Sequence, residues 1–120
     1  LNIIKEQFIG VTSWHSQDAI DEKNAVLMYG EYNVAKSPTS VSIWKSIDSG
    51  LTWTEVFVKQ FPDEIRHWHT VQADKFIDGH WLITSGDTQE QSRWFLSKDN
   101  GENWIEITDK KFENKINLSK

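Results

Sequence analysis

The residues best suited to proton or metal chemistry gather at a few points of this 120-residue chain. His67 and His69 form an H-x-H pair preceded by Arg66. Two residues apart on an extended chain, both rings point to the same side, with Arg66 on the opposite side. His15 sits in a matching context, because Ser13-Trp14-His15-Ser16 parallels His67-Trp68-His69-Thr70. Glu31 and Asp87 each follow a glycine, Gly30 and Gly86, and Glu90 and Arg93 lie close to the second. Two chemistries suit such a set. Imidazole with carboxylate can hold a divalent ion. Imidazole paired with carboxylate can also move a proton near neutral pH. The candidate catalytic residues are therefore His67, His69, Glu31, Asp87 and Arg66. The candidate ligand-binding residues are His15, Arg93 and Glu90. No cofactor is required by this set; a divalent metal is the one it could accommodate. A structural reading stands beside the chemical one. The recurring Trp-His pairs suit packing between repeats, and an acid after a strand-ending Gly suits a cap.

Strands must position these residues. Short β-branched and aromatic runs alternate with turn residues, and no run has the pattern of a long amphipathic helix. The first half places strands near 10–15, 25–31, 41–46 and 53–58. The second places them near 66–72, 80–85, 93–97 and 104–108. Turn signals separate them at 21–24, Ser37-Pro38-Thr39, Phe61-Pro62-Asp63 and Asp78-Gly79. The candidate histidines then lie on the first strand of each half, and Glu31 and Asp87 end the second strands.

The halves share a stronger signature. Ser46-Ile47-Asp48-Ser49-Gly50-Leu51-Thr52-Trp53 returns as Ser97-Lys98-Asp99-Asn100-Gly101-Glu102-Asn103-Trp104, 51 residues later. Both read S-x-D-x-G-x-x-W between strand-like runs, which places them in hairpin turns. Asp48 and Asp99 can accept turn N–H groups. Gly50 and Gly101 supply positive φ. Trp53 and Trp104 can cover the turn. Two further stretches repeat: Val26 to Glu31 against Leu82 to Asp87, and Glu55 to Phe61 against Glu106 to Phe112. Repeats of this length mark propeller blades.

The repeated motif resembles the Asp-box, or BNR, repeat of sialidase-like β-propellers. The order Gly30-Glu31-Tyr32, Asp box, Arg66-His67-Trp68-His69, Ser85-Gly86-Asp87 resembles bacterial BNR-repeat proteins of that class. The resemblance implies an all-β fold of two four-stranded antiparallel blades, a partial propeller or a ring closed by oligomerisation. It also implies that Ser46, Asp48, Gly50, Trp53, Ser97, Asp99, Gly101 and Trp104 are structural, between third and fourth strands and away from the active site. Residues 1–9 read as a strand completing a preceding or neighbouring blade, since Ile3 to Phe8 echoes Val56 to Phe61. Residues 10–61 read as the first blade, and 62–120 as the second with a tail. The resemblance points to glycan binding or glycoside cleavage, by a glycoside hydrolase or polysaccharide lyase, with carbohydrate as ligand. It departs from true sialidases, which carry an arginine triad; this chain has only Arg66 and Arg93. Tyr29 and Tyr32 flank Glu31, but adjacency along a strand is not the Tyr/Glu pairing of those enzymes. Asp-box propellers also include non-catalytic scaffolds, so the alternative is an interaction module or a self-assembling propeller fragment.

Composition narrows the partners. Net charge is −5 with no basic block, which argues against nucleic acid. No apolar run reaches the ~18 residues of a membrane helix, so a soluble protein is expected. With no cysteine there is neither a disulfide nor a thiolate metal site, and the compartment stays open. Two blades cannot close a ring, so copies of the chain or further blades are the expected neighbours.

Overall fold

The computed structural model describes residues 19–32, 36–86 and 88–108. Within them the chain forms eight strands and no helix. The strands are β1 (Ile20–Asp21), β2 (Val26–Gly30), β3 (Thr39–Ser46), β4 (Thr54–Phe61), β5 (Trp68–Ala73), β6 (Trp81–Ser85), β7 (Trp94–Ser97) and β8 (Ile105–Glu106). They build two four-stranded sheets, β1-β2-β3-β4 and β5-β6-β7-β8, every neighbour antiparallel. The all-β expectation of two such sheets therefore holds. The strand expected near 10–15 lies outside the described residues, as does the leading segment 1–9. The strand beside β2 is instead Ile20–Asp21, and the turn after it begins at Glu22 rather than Asp21. β8 is shorter than the expected 104–108, yet Ile107 N–H still donates to Trp94 O (2.8 Å). There Thr108 Oγ1 accepts the Trp94 N–H at 2.7 Å, so a side chain replaces the last rung of the ladder.

Side-chain alternation explains how the sheets meet. Val26, Met28, Val41, Ile43 and Phe61 of the first sheet join Trp68, Val71, Ala73, Trp81, Ile83 and Phe95 of the second in one continuous core. Ile65, in the connection between the sheets, is fully buried with them. Phe57 adds ring contacts to Trp68, Phe95 and Trp104. Burial of this apolar surface is the main favourable term of the fold. The buried indoles keep their polar atoms satisfied: Trp68 Nε1 donates to Val41 O (3.3 Å) and Trp81 Nε1 to Asn100 Oδ1 (3.0 Å). Lys45 Nζ to Glu102 (2.9 Å) and Asn24 Nδ2 to Asp78 (2.6 Å) tie the sheets at their periphery.

Strand register corrects one part of the repeat alignment. Leu27 pairs with Ser46, and Trp81 with Ser97. Since the two serines are equivalent, Leu27 matches Trp81, and Glu31 matches Ser85 rather than Asp87. The backbone agrees: Glu31 N–H donates to Ser42 O (3.0 Å) as Ser85 N–H donates to Arg93 O (2.9 Å). The similarity of Gly30-Glu31 to Gly86-Asp87 is thus two residues out of structural register.

The two S-x-D-x-G-x-x-W segments form the β3–β4 and β7–β8 turns with one shared hydrogen-bond plan. Ser46 Oγ accepts from Gly50 N–H (2.8 Å) and donates to Asp48 Oδ1 (2.8 Å). Asp48 Oδ1 accepts from Thr52 N–H (2.9 Å), and its other oxygen from the Thr52 hydroxyl. In the second copy Ser97 Oγ accepts from Gly101 N–H (2.8 Å) and donates to Asp99 Oδ1 (2.9 Å). Asp99 takes both the backbone N–H (2.8 Å) and the amide (2.7 Å) of Asn103. Gly50 and Gly101 have φ of 89° and 90°, as expected; Ser49 and Asn100 before them are also left-handed, at 64° and 55°. Two successive positive-φ residues match the twist of a tight hairpin. Trp53 Nε1 returns to Gly50 O (3.0 Å), whereas Trp104 packs against the core beside Phe57.

These bonds depress the aspartates. Thr52, through its hydroxyl and then its backbone, and Ser46 after it hold Asp48 at about 2, below its ordinary 3.8. Asn103 lowers Asp99 in the same way. A carboxylate whose folded pKa is depressed adds stability above its unfolded pKa, and that stability is lost as pH falls through the folded value. The melting temperature should accordingly drop on acidification between about pH 4 and pH 2. Asp48→Asn should lower it at neutral pH and flatten this acid limb without abolishing it, because Asp99 keeps its share. Thermal melts of both proteins across that window check this; an unchanged acid limb in the variant would contradict it.

Candidate functional site

One close crossing positions the candidate residues. β5 runs so near the end of β2 that a Cβ added at Gly30 would stand 2.6 Å from Trp68 Cβ and 2.9 Å from Cγ. Trp68 N–H donates to Glu31 O across the gap (3.2 Å). With Trp68 driven fully into the core, its neighbours His67 and His69 turn together to the other side, although the β5–β6 register shifts between Trp68 and Thr70. Antiparallel topology then sets which end of the sheets they occupy. The start of β5, the end of β2 and the β6–β7 connection share one end. The two S-x-D-x-G-x-x-W turns, with the β1–β2 and β5–β6 turns, occupy the other.

His67 and His69 meet at that first end, Nε2 to Nε2, at 3.1 Å. Tyr32 lies over them: its ring stacks on His67 with centroids 3.8 Å apart and lies nearly parallel to His69 at 6.3 Å. His67 is buried, while His69 and Tyr32 are partly exposed. The His69 ring rests on Gly86, where a β-carbon would meet its Cε1 at 2.6 Å and Nδ1 at 2.7 Å. Tyr32 was not among the residues expected from sequence. Its signal was its place immediately after the strand-ending Gly30-Glu31, facing the H-x-H pair across the crossing.

The other candidates are placed differently. Glu31 was expected to converge with the histidines, but its carboxylate turns to β3. Oε1 accepts Ser42 N–H (2.8 Å) and Oε2 accepts Trp44 Nε1–H (3.0 Å). In the second sheet Ser85 Oγ does the equivalent work, accepting Arg93 N–H (3.1 Å). Glu31 is therefore a strap across the β2–β3 connection. Arg66 lays its guanidinium over Phe61, 4.5 Å from the ring centroid. Arg93 reaches Glu106 across β7–β8 (3.4 Å). Glu90 is exposed in the β6–β7 turn. His15 and Asp87 lie outside the described residues. Tyr29 is buried edge-on against Trp53, with centroids 5.4 Å apart. Burial, and then the Glu31 charge, push its phenol above the ordinary tyrosine range. A phenol held protonated is the wrong state for a nucleophile.

Two clefts open at the end that carries the S-x-D-x-G-x-x-W turns. One, of about 460 Å³, is lined by Gln72, Leu82, Leu96, His80 and Phe76 among others. The second, of about 370 Å³, lies between the β1–β2 and β5–β6 turns around Asp21, Lys23, Asp74 and Asp78. Neither touches the Tyr32–His67–His69 group. Among the described residues no three His, Cys, Asp or Glu side chains gather as a metal-binding group, and no helix is long and apolar enough to cross a membrane.

The Gly30 crossing generates a test. Gly30→Ala forces a β-carbon into Trp68, and such overpacking costs about 1–3 kcal/mol. Urea unfolding should show that loss, and the ring signals of His67 and His69 should shift in NMR spectra of the folded fraction. A variant of full stability with unmoved histidine signals would contradict the crossing.

Compared with known proteins, the chain matches no family model, no curated protein and no solved structure.

Proposed function

We propose that the chain is a two-blade segment of an Asp-box β-propeller of sialidase-like type, and that its work is recognition of carbohydrate. The observation that carries this reading is the pairing of two Asp-box turns of one hydrogen-bond plan with one candidate end. Each turn joins the third and fourth strands of a four-stranded meander, and the histidines and Tyr32 sit at the opposite end of the sheets. That is where the resemblance puts ligand. Partly exposed Tyr32 and His69 offer ring edges and polar atoms suited to sugar hydroxyls. Binding, rather than bond cleavage, is favoured by Glu31. Most glycosidases work with two carboxyl groups at the scissile bond, sialidases with a Tyr nucleophile being an exception, and this carboxylate is committed to Ser42 and Trp44.

A ¹⁵N-labelled sample titrated with neutral and acidic oligosaccharides tests the reading. Shifts should concentrate at Tyr32, His67, His69 and the 88–93 turn, while the Asp-box turns stay unmoved, and chromogenic glycosides should not be cleaved. Saturable shifts confined to the Asp-box end, or none with any sugar, would defeat it.

The second reading is a non-catalytic interaction or self-assembling module. It is favoured by the outward face of the second sheet, where Ile105 and Ile107 are 53% and 44% exposed on the same side as Leu82 and Leu96. Such a face suits another sheet. Light scattering coupled to size exclusion separates the cases: a mass of three or more chains supports assembly, and a dilute stable monomer opposes it.

A further inference from the structure

We infer that His67 and His69 form a two-histidine chelate for one first-row transition ion of the zinc, nickel or copper class, walled by Tyr32. The argument rests on ring geometry and is independent of the glycan reading. The two Nε2 atoms are 3.1 Å apart and the ring centroids 5.0 Å apart. A head-on N–H···N bond of that length would hold the centroids farther apart, at about 5.4 Å. Two imidazoles on one tetrahedral ion, with bonds of about 2.05 Å, place their nitrogens about 3.35 Å apart and their centroids about 5.2 Å apart. The nitrogens, now in hydrogen-bond contact, thus stand close to the spacing that two ligands of one ion adopt, and a small separation of the rings would admit it.

The surroundings hold this geometry before any ion arrives. Trp68, fully buried between the two residues, fixes both backbones. Tyr32 lies within 24° of the His67 plane and stacks on that ring, while the His69 ring lies nearly parallel to it but farther off. Gly86 gives His69 room that any β-carbon would occupy. Rings already oriented lose less entropy on ligation than free ones. The donor set selects the ion class. Neutral imidazole suits zinc, nickel and copper, whereas calcium and magnesium require oxygen ligands. The described residues supply these two ligands, and further positions are open to water or to an oxygen-bearing ligand. Glu31 does not compete for the ion, since both its oxygens are engaged with β3.

The test titrates the 120-residue chain with cobalt(II) alone, read by its visible absorption, and with zinc(II) by calorimetry and competition. Saturable binding of one ion per chain is expected, with the ring protons of His67 and His69 as the signals that move. His67 is buried, and its replacement risks the fold, so the informative variant is His69→Gln, with folding checked by circular dichroism. Binding should weaken at least about tenfold in that variant, as lost chelation requires. His80→Gln, at the opposite end of the sheets, should bind as the parent does. Absence of saturable binding below millimolar metal, equal affinity in folded His69→Gln, or loss in His80→Gln would each overturn the inference. The readouts involve no sugar, so failure of the metal site and failure of glycan recognition are separable.

Discussion

The fold depends on the place where β2 and β5 nearly touch. Gly30 has no side chain, Trp68 has the largest one, and the second fits over the first with no room for even a methyl group. The contact is closed by Trp68 N–H to Glu31 O and by the indole N–H to Val41 O, so one residue bonds the first sheet through backbone and side chain. Both bonds are buried beside apolar surface, where an unmet donor is costly. This rigid post sets the angle between sheets and turns its two histidine neighbours outward together. Moving it would disturb core packing and the candidate site at once, because both hang on the same peptide.

The two S-x-D-x-G-x-x-W turns hold the other end by local bonds. Each closes a hairpin with bonds confined to residues four apart or fewer. The serine hydroxyl accepts the N–H of the glycine four residues on, and the aspartate accepts the N–H of the residue four after itself. The turn tolerates variation because the work is split between atoms of different kinds. Thr52 uses a hydroxyl where Asn103 uses an amide, and both reach the second carboxylate oxygen. The charge is spent within the turn, which is why these exposed aspartates are poor candidates for chemistry.

Locality explains what the sequence disclosed. The boxes were legible because all their partners lie within one short motif, and two copies repeat the same spacing. The strand pattern was legible for the same reason, through alternation and turn residues. The H-x-H pair could be read as facing one way from the period of a strand, despite the register shift beside it. Glu31 could not be read, because its partners Ser42 and Trp44 lie 11 and 13 residues away on β3. Its likeness to Asp87 was a likeness of letters. Strand register equates it with Ser85, a residue of different size and charge that performs the same bond to the next strand. Tyr32 was missed because its ring contacts cross from one sheet to the other, a distance that no local pattern encodes.

The same distinction bears on what chemistry the first end can perform. A carboxylate commonly orients a catalytic imidazole. Among the described carboxylates, Glu31 is committed to β3 and Glu106 meets Arg93, so neither is delivered to the rings. What the fold does deliver is one aromatic wall and two nitrogens at ligand spacing, held by a tryptophan that cannot move without unpacking the core. Preorganised rings beside an aromatic wall suit contact with an ion or with a polar molecule, because little ordering is left to be done on binding.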